Sequence, residues 1–194
     1  MMQENRNDKI STRNEFDNTV MEVNVLSQNH FHNIIKRSIL LVILLAICSI
    51  IFMFSNQNSE KSDSTSDKII YRVLDIITKT HDLSQQEYDE LYMSVKILVR
   101  KTAHFTIYTL LGLFLMLVLN TININLKERI LISWMIGIIY AIGDEIHQYF
   151  IPGRTPMMTD VIIDSIGVLC GILIVYFTSK ILYIRKRKYD FPNI

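Results

Sequence analysis

The amino-acid sequence predicts an all-α fold, a bundle of about four helices that cross a membrane. Three observations carry that expectation. Mean hydropathy over the chain is +0.24, above what a soluble domain of this length needs. Uncharged apolar runs recur at lengths close to the ~20 residues required to cross about 30 Å of hydrocarbon. The charges that approach those runs gather at their ends: Arg100, Lys101 and His104, then Asp144, Glu145 and His147, then Arg154, Asp160 and Asp164. Ionisable residues beside apolar spans are costly to hold, and they point to function by default.

Residues 1–33 are rich in Asn, Asp, Glu and Ser and read as a polar, mobile cytoplasmic tail. Ser38 to Phe54 is uncharged and almost wholly apolar, and with Ile34 and Ile35 it reaches roughly 30 Å at about 1.5 Å per residue. No small-residue cleavage site follows it, so this span is expected to be a retained anchor. Ser55 to Ser66 is polar and reads as an exposed linker. Ile69, Ile70, Val73, Ile76 and Ile77 then recur at helical spacing among Asp67, Lys68, Arg72, Asp75 and Lys79, which predicts an amphipathic helix packed on the bundle or lying on the membrane surface. Ser84 and Glu87 fit a capping box that opens a helix running through Val95 and Leu98 into the second span, Thr102 to Leu119. A third span runs from Ile130 to about Gly143 and a fourth from Val161 to about Tyr183. Cys48 and Cys170 lie deep in spans, where cysteine behaves as a small apolar residue, so no disulfide framework is expected.

Lys36 and Arg37, Lys127 and Arg129, and the basic end from Lys180 to Lys188 mark one side as cytoplasmic. Both termini are expected there. The resulting organisation is a tail over 1–33, a membrane domain over 34–184 with an extracytoplasmic loop at 55–99, and a basic cytoplasmic tail over 185–194. A net charge of +1 gives no reason to expect nucleic acid as a partner. Membrane lipids are the expected surroundings, and Arg185 to Lys188 are placed to meet anionic head groups.

Residues four apart share a helix face. Arg100, His104, Tyr108 and Gly112 therefore form one stripe, Tyr140, Asp144, His147 and Gln148 another, and Asp160, Asp164, Gly167 and Gly171 a third. Antiparallel connections bring these stripes to one membrane level. Ile151 to Arg154 form a turn around Pro152 and Gly153 that sets Arg154 over the cluster. Arg100, Lys101 and Arg154 then face Asp144, Glu145, Asp160 and Asp164, a nearly balanced set. Such a set can be an ion-pair network that staples three helices. It can equally be an acid–base site built on His104 or His147 beside Asp144, Glu145, Asp160 or Asp164. Arg100, Lys101, Gln148 and Arg154 would hold an anionic ligand, the arginines through forked contacts. A divalent metal would draw on Glu145, His147, His104 and Asp160, but the spacing is no metal signature, and no metal ligands or cofactor are assigned.

Several segments occur in an order that resembles the VanZ-like family of bacterial membrane proteins. They are Arg100-Lys101-Thr102-Ala103-His104-Phe105 with Tyr108 and Gly112, Gly143-Asp144-Glu145-Ile146-His147-Gln148, Phe150-Ile151-Pro152-Gly153-Arg154, and Asp160, Asp164 and Gly167. Phe54-Ser55 with Gln57 adds to the likeness, which covers roughly residues 38 to 180. The resemblance implies a small multi-span protein of the cell envelope, associated in the family's named member with resistance to the glycopeptide teicoplanin. It supplies no reaction. Two function classes follow. One is a protein that binds or modifies a lipid-linked cell-wall or surface component at an outer-face polar site. The other is a noncatalytic interaction or scaffold protein, recruiting another envelope protein, whose polar residues only hold the bundle. Transport is a weaker third, because the charges gather at one face rather than midway.

Overall fold

The computed structural model describes the backbone of residues 4–56, 59–79, 83–152, 154 and 156–190. Five helices account for almost all of it: α1 Glu4–Ser55, α2 Ser59–Thr78, α3 Gln85–Leu119, α4 Leu126–Tyr149 and α5 Met158–Asp190. Four stretches are long and apolar enough to cross a membrane: Phe31–Ser55, Gln85–Leu119, Leu126–Tyr149 and Met158–Arg187. The all-α, four-span expectation therefore holds. Residues 1–41 and 42–194 form two compact units, and the second carries the whole bundle described below.

Two polar segments are more helical than their composition suggests. Residues 4–33 are continuous with α1, and α2 begins at Ser59, inside the stretch read as linker. Neither 4–55 nor 59–78 contains Gly or Pro. Once an apolar stretch has formed the costly first turn, each further residue adds a hydrogen bond, so polar flanks continue the helix until something breaks it. Gln57 lies outside the described residues.

The amphipathic α2 packs on the first turns of α3. Ile70 and Leu74 are fully enclosed with Val95, and Val73, Tyr88, Leu91, Tyr92 and Val99 surround them. Tyr92 Oη donates to Asp67 Oδ1 at 3.0 Å, fixing the start of the apolar stripe. Of the two roles open to this helix, packing on the bundle is the one observed.

The predicted capping box opens α3: the Ser84 backbone N–H donates to Glu87 Oε2 at 2.9 Å, and Glu87 N–H returns to Ser84 Oγ. A second box opens α4, with Asn125 and Glu128 exchanging the same pair of bonds. Asn125-Leu126-Lys127-Glu128 carries the same signature, an amide cap with Glu three residues on.

The core lies among α1, α3, α4 and α5, with Ile51, Tyr108, Leu111, Met116, Ala141, Val168 and Ile172 enclosed. Helices α3 and α5 meet at main-chain distance. A methyl group at Gly112 would collide with the Val168 carbonyl and one at Gly171 with the Thr109 carbonyl, while one at Gly167 would sit 2.8 Å from the Phe105 oxygen. In lipid there is no hydrophobic drive between helices, so backbone approach through small residues is what makes such a contact favourable. Across the other face of α5, Trp134 Nε1 donates to the Ser165 carbonyl at 3.3 Å. Tyr140 Oη donates to the Cys48 carbonyl at 2.8 Å, tying α4 to α1. Cys48 and Cys170 are both free thiols.

Candidate functional site

Because α3 and α5 touch through glycine, the residues one turn from the contact are held face to face. His104 of α3 and Asp164 of α5 meet there, with Nδ1 and Oδ2 3.7 Å apart. One turn further out, Lys101 Nζ pairs with Asp160 Oδ1 at 3.3 Å. Helix α4 contributes Asp144, and one donor atom from each of His104, Asp144 and Asp164 lies within 4.8 Å of the others. Asp164 is wholly buried and Asp144 nearly so, at 0% and 7% exposure.

A hydrogen-bonded relay sets Asp144. Arg100 Nη2 donates to Gln148 Oε1 at 3.1 Å, and Gln148 Nε2 donates to Asp144 Oδ2 at 3.2 Å. Gln148 is fully enclosed, so its amide is committed to these partners in both directions. The relay carries the influence of a cation to a buried carboxylate through a neutral side chain. Tyr108 is enclosed beneath the cluster, its ring lying against His104 at 6.4 Å between centroids. Among the described residues, His104 Nδ1, Tyr108 Oη and both Asp164 oxygens lack a hydrogen-bond partner.

The remaining candidates take other positions. Glu145 is buried and accepts from the Met157 backbone N–H at 2.9 Å, so it anchors the connection leading into α5. His147 is not part of the trio and stacks on Phe52 of α1, with ring centroids 4.7 Å apart. It lines a second cavity of about 450 Å³ with Tyr140, Ile136 and Asp144. Of the residues a divalent metal would draw on by residue type, Glu145, His147, His104 and Asp160, only His104 belongs to the group whose donor atoms lie within 4.8 Å of one another. Arg154 follows a turn closed by its N–H on the Ile151 carbonyl, and its Nη2 donates to the Phe54 carbonyl at 3.1 Å. Gly153 of that turn lies outside the described residues. Ser55 and Ser133 are both wholly buried polar side chains; Ser55, expected to open an exposed linker, instead ends α1 with its side chain enclosed, and Ser133 sits inside an apolar run where nothing in the spacing singles it out.

A cavity of about 600 Å³ opens beside the cluster, between α1, α2 and α3. Its walls are apolar, with Ile51, Val73 and Leu98 among them, and its polar lining includes Arg100, His104 and Arg154. This volume falls in the range of sites that take a drug-sized or amphiphilic molecule.

These features define a class: a multi-pass helical membrane protein with a buried histidine–carboxylate cluster beside an apolar, arginine-rimmed cavity. The family model of VanZ/LLP1 matches residues 40–181, and the chain belongs to that family. The matched region contains every residue of the cluster and of the relay. No curated protein and no solved structure matches the chain.

Proposed function

We propose that this protein binds, and at its histidine–carboxylate end modifies, an anionic lipid-linked component of the bacterial cell envelope, and thereby alters susceptibility to glycopeptides such as teicoplanin. The observation that carries this reading is the cavity, in which an apolar chamber meets Arg100, His104 and Arg154. An acyl or prenyl chain fits apolar walls, and guanidinium groups suit the oxygens of a phosphate or carboxylate. On this reading Arg100 and Arg154 hold the head group, with Lys101 and Gln148 supporting them. His104 faces it as the group able to take or give a proton, with Asp144 and Asp164 buried behind it. On this reading the site faces outward, which the Lys and Arg bias supports.

The test is native mass spectrometry of the detergent-solubilised protein with added anionic and zwitterionic lipids. The expected result is retention of anionic lipid by the wild type and its loss from Arg154→Gln that is still folded. Equal retention of zwitterionic lipid would sink the proposal. In cells, lipid-linked precursor pools should differ between a deletion strain restored with wild type and one restored with His104→Ala; equal pools would remove the modifying step.

A second reading rests on the Lys101–Asp160 pair and the Arg100–Gln148–Asp144 relay, which join separate helices. On that reading the polar set is a scaffold for recruiting another envelope protein. It expects the same variants to fail by unfolding, with no folded, non-binding form.

A further inference from the structure

We infer that His104, Asp144 and Asp164 form a binding site for one divalent first-row transition metal ion, Zn²⁺ or Mn²⁺. The inference stands on these three residues alone and does not depend on the lipid reading.

The three residues supply one imidazole nitrogen and two carboxylate oxygens, from three different helices, within 4.8 Å of one another. Imidazole suits zinc and its neighbours, and carboxylate suits manganese, so a mixed set falls to ions that accept both. Ligands bonded to one ion at about 2.1 Å lie roughly 3 to 4 Å apart. The 3.7 Å between His104 Nδ1 and Asp164 Oδ2 is of that size, and it is too long for a good hydrogen bond, whose usual range is about 2.7–3.2 Å. Side-chain rotation that moves a donor atom by about 1 Å closes the rest of the 4.8 Å spread.

An independent observation points to a missing partner. Asp164 is completely buried, yet neither of its oxygens has a hydrogen bond among the described residues, and His104 Nδ1 is in the same condition. A carboxylate held out of water needs a countercharge or hydrogen bonds, because leaving one unsatisfied costs several kcal/mol (of order 1–3 or more). Lys101 is engaged with Asp160, and the one ion-pair partner of Asp164 among the described residues is His104, which stands at 3.7 Å, beyond good hydrogen-bond range. A dication between the three donors satisfies all of them together.

The surroundings resemble those of held metal ligands. Asp144 receives the Gln148 amide, itself held by Arg100, so one ligand is oriented from behind by a hydrogen bond. Three protein ligands leave a coordination position open, the arrangement of reactive rather than purely structural metal sites. His104 also lines the large cavity, so the ion would sit at its edge.

The test uses the full chain, purified in detergent, stripped with chelator and titrated with Zn²⁺ or Mn²⁺ alone. Elemental analysis and calorimetry should give one ion per chain, and the ion should raise the thermal unfolding temperature of the wild type. Asp164→Asn keeps the side-chain shape and should weaken binding at least tenfold, as should His104→Ala. His147→Ala, which alters the histidine near the end of α4, should bind like the wild type. Absence of saturable binding by the wild type overturns the inference without reference to any variant. So does an equal loss in His147→Ala, which would indicate nonspecific histidine binding. Arg154→Gln should keep the metal while losing anionic lipid, so failure of one proposal is distinguishable from failure of the other.

Discussion

At the scale of single residues, the membrane end of this protein separates groups that are worth much from groups worth little. Gln148 has no exposure and serves two partners, so Gln148→Leu leaves Arg100 and Asp144 without their link. We expect a loss of about 1–3 kcal/mol in chemical or thermal unfolding, the usual consequence of orphaning buried polar groups. Lys101→Ala breaks a pair that is 34% and 13% exposed on its two sides. Solvent screens that pair, and the same assay should register only about 0.2–1 kcal/mol. If the two variants proved equally damaging, the relay would have no special place in the site. Helical spacing made much of this site legible. Arg100, His104 and Tyr108 fall four apart, as do Asp160 and Asp164, and these stripes do turn inward together. His147 was not legible, because Asp144, His147 and Gln148 cover an arc wider than one contact. Its direction is settled by the ring of Phe52, over ninety residues earlier in the chain.

At the scale of elements, the meeting of α3 and α5 governs the rest. Gly112→Ala or Gly171→Ala drives a methyl group into a carbonyl of the facing helix, and neither backbone can yield locally. Each should destabilise the solubilised protein by about 1–3 kcal/mol, seen as a lower unfolding temperature. Gly143 faces open space, and Gly143→Ala should be neutral or stabilise by up to about 0.5–1 kcal/mol through better helix propensity. The glycine spacing announced the contact in advance, since residues four apart on one face permit close approach. Asn125→Ala removes the first cap of α4 and should cost about 1 kcal/mol in the same measurement. The helix starting at Ser59 was less legible: its first ten residues are polar, and only their continuity with the apolar stripe from Ile69 makes them helical.

At the scale of the whole molecule, apolar runs and their order were enough to predict four spans, because hydrocarbon leaves so few alternatives to helix. The distribution of Lys and Arg predicts a sidedness that is open to direct test. In a cysteine-free background, an impermeant thiol reagent should reach a cysteine at exposed Gln86 in intact cells. It should reach one at exposed Lys127 only after permeabilisation. The reverse pattern would turn the bundle over and place the cluster and its cavity on the cytoplasmic side.

The glycine seam between α3 and α5 also sets a tolerance. His104 and Asp164 each stand within a turn of it, so their separation is gauged by main chain against main chain rather than by side chains free to repack. Side-chain packing absorbs small errors; a backbone seam transmits them. A mild change at Gly167, facing the Phe105 carbonyl, would therefore shift the two groups relative to each other while the bundle stayed assembled. The loss would look chemical, although its cause was mechanical.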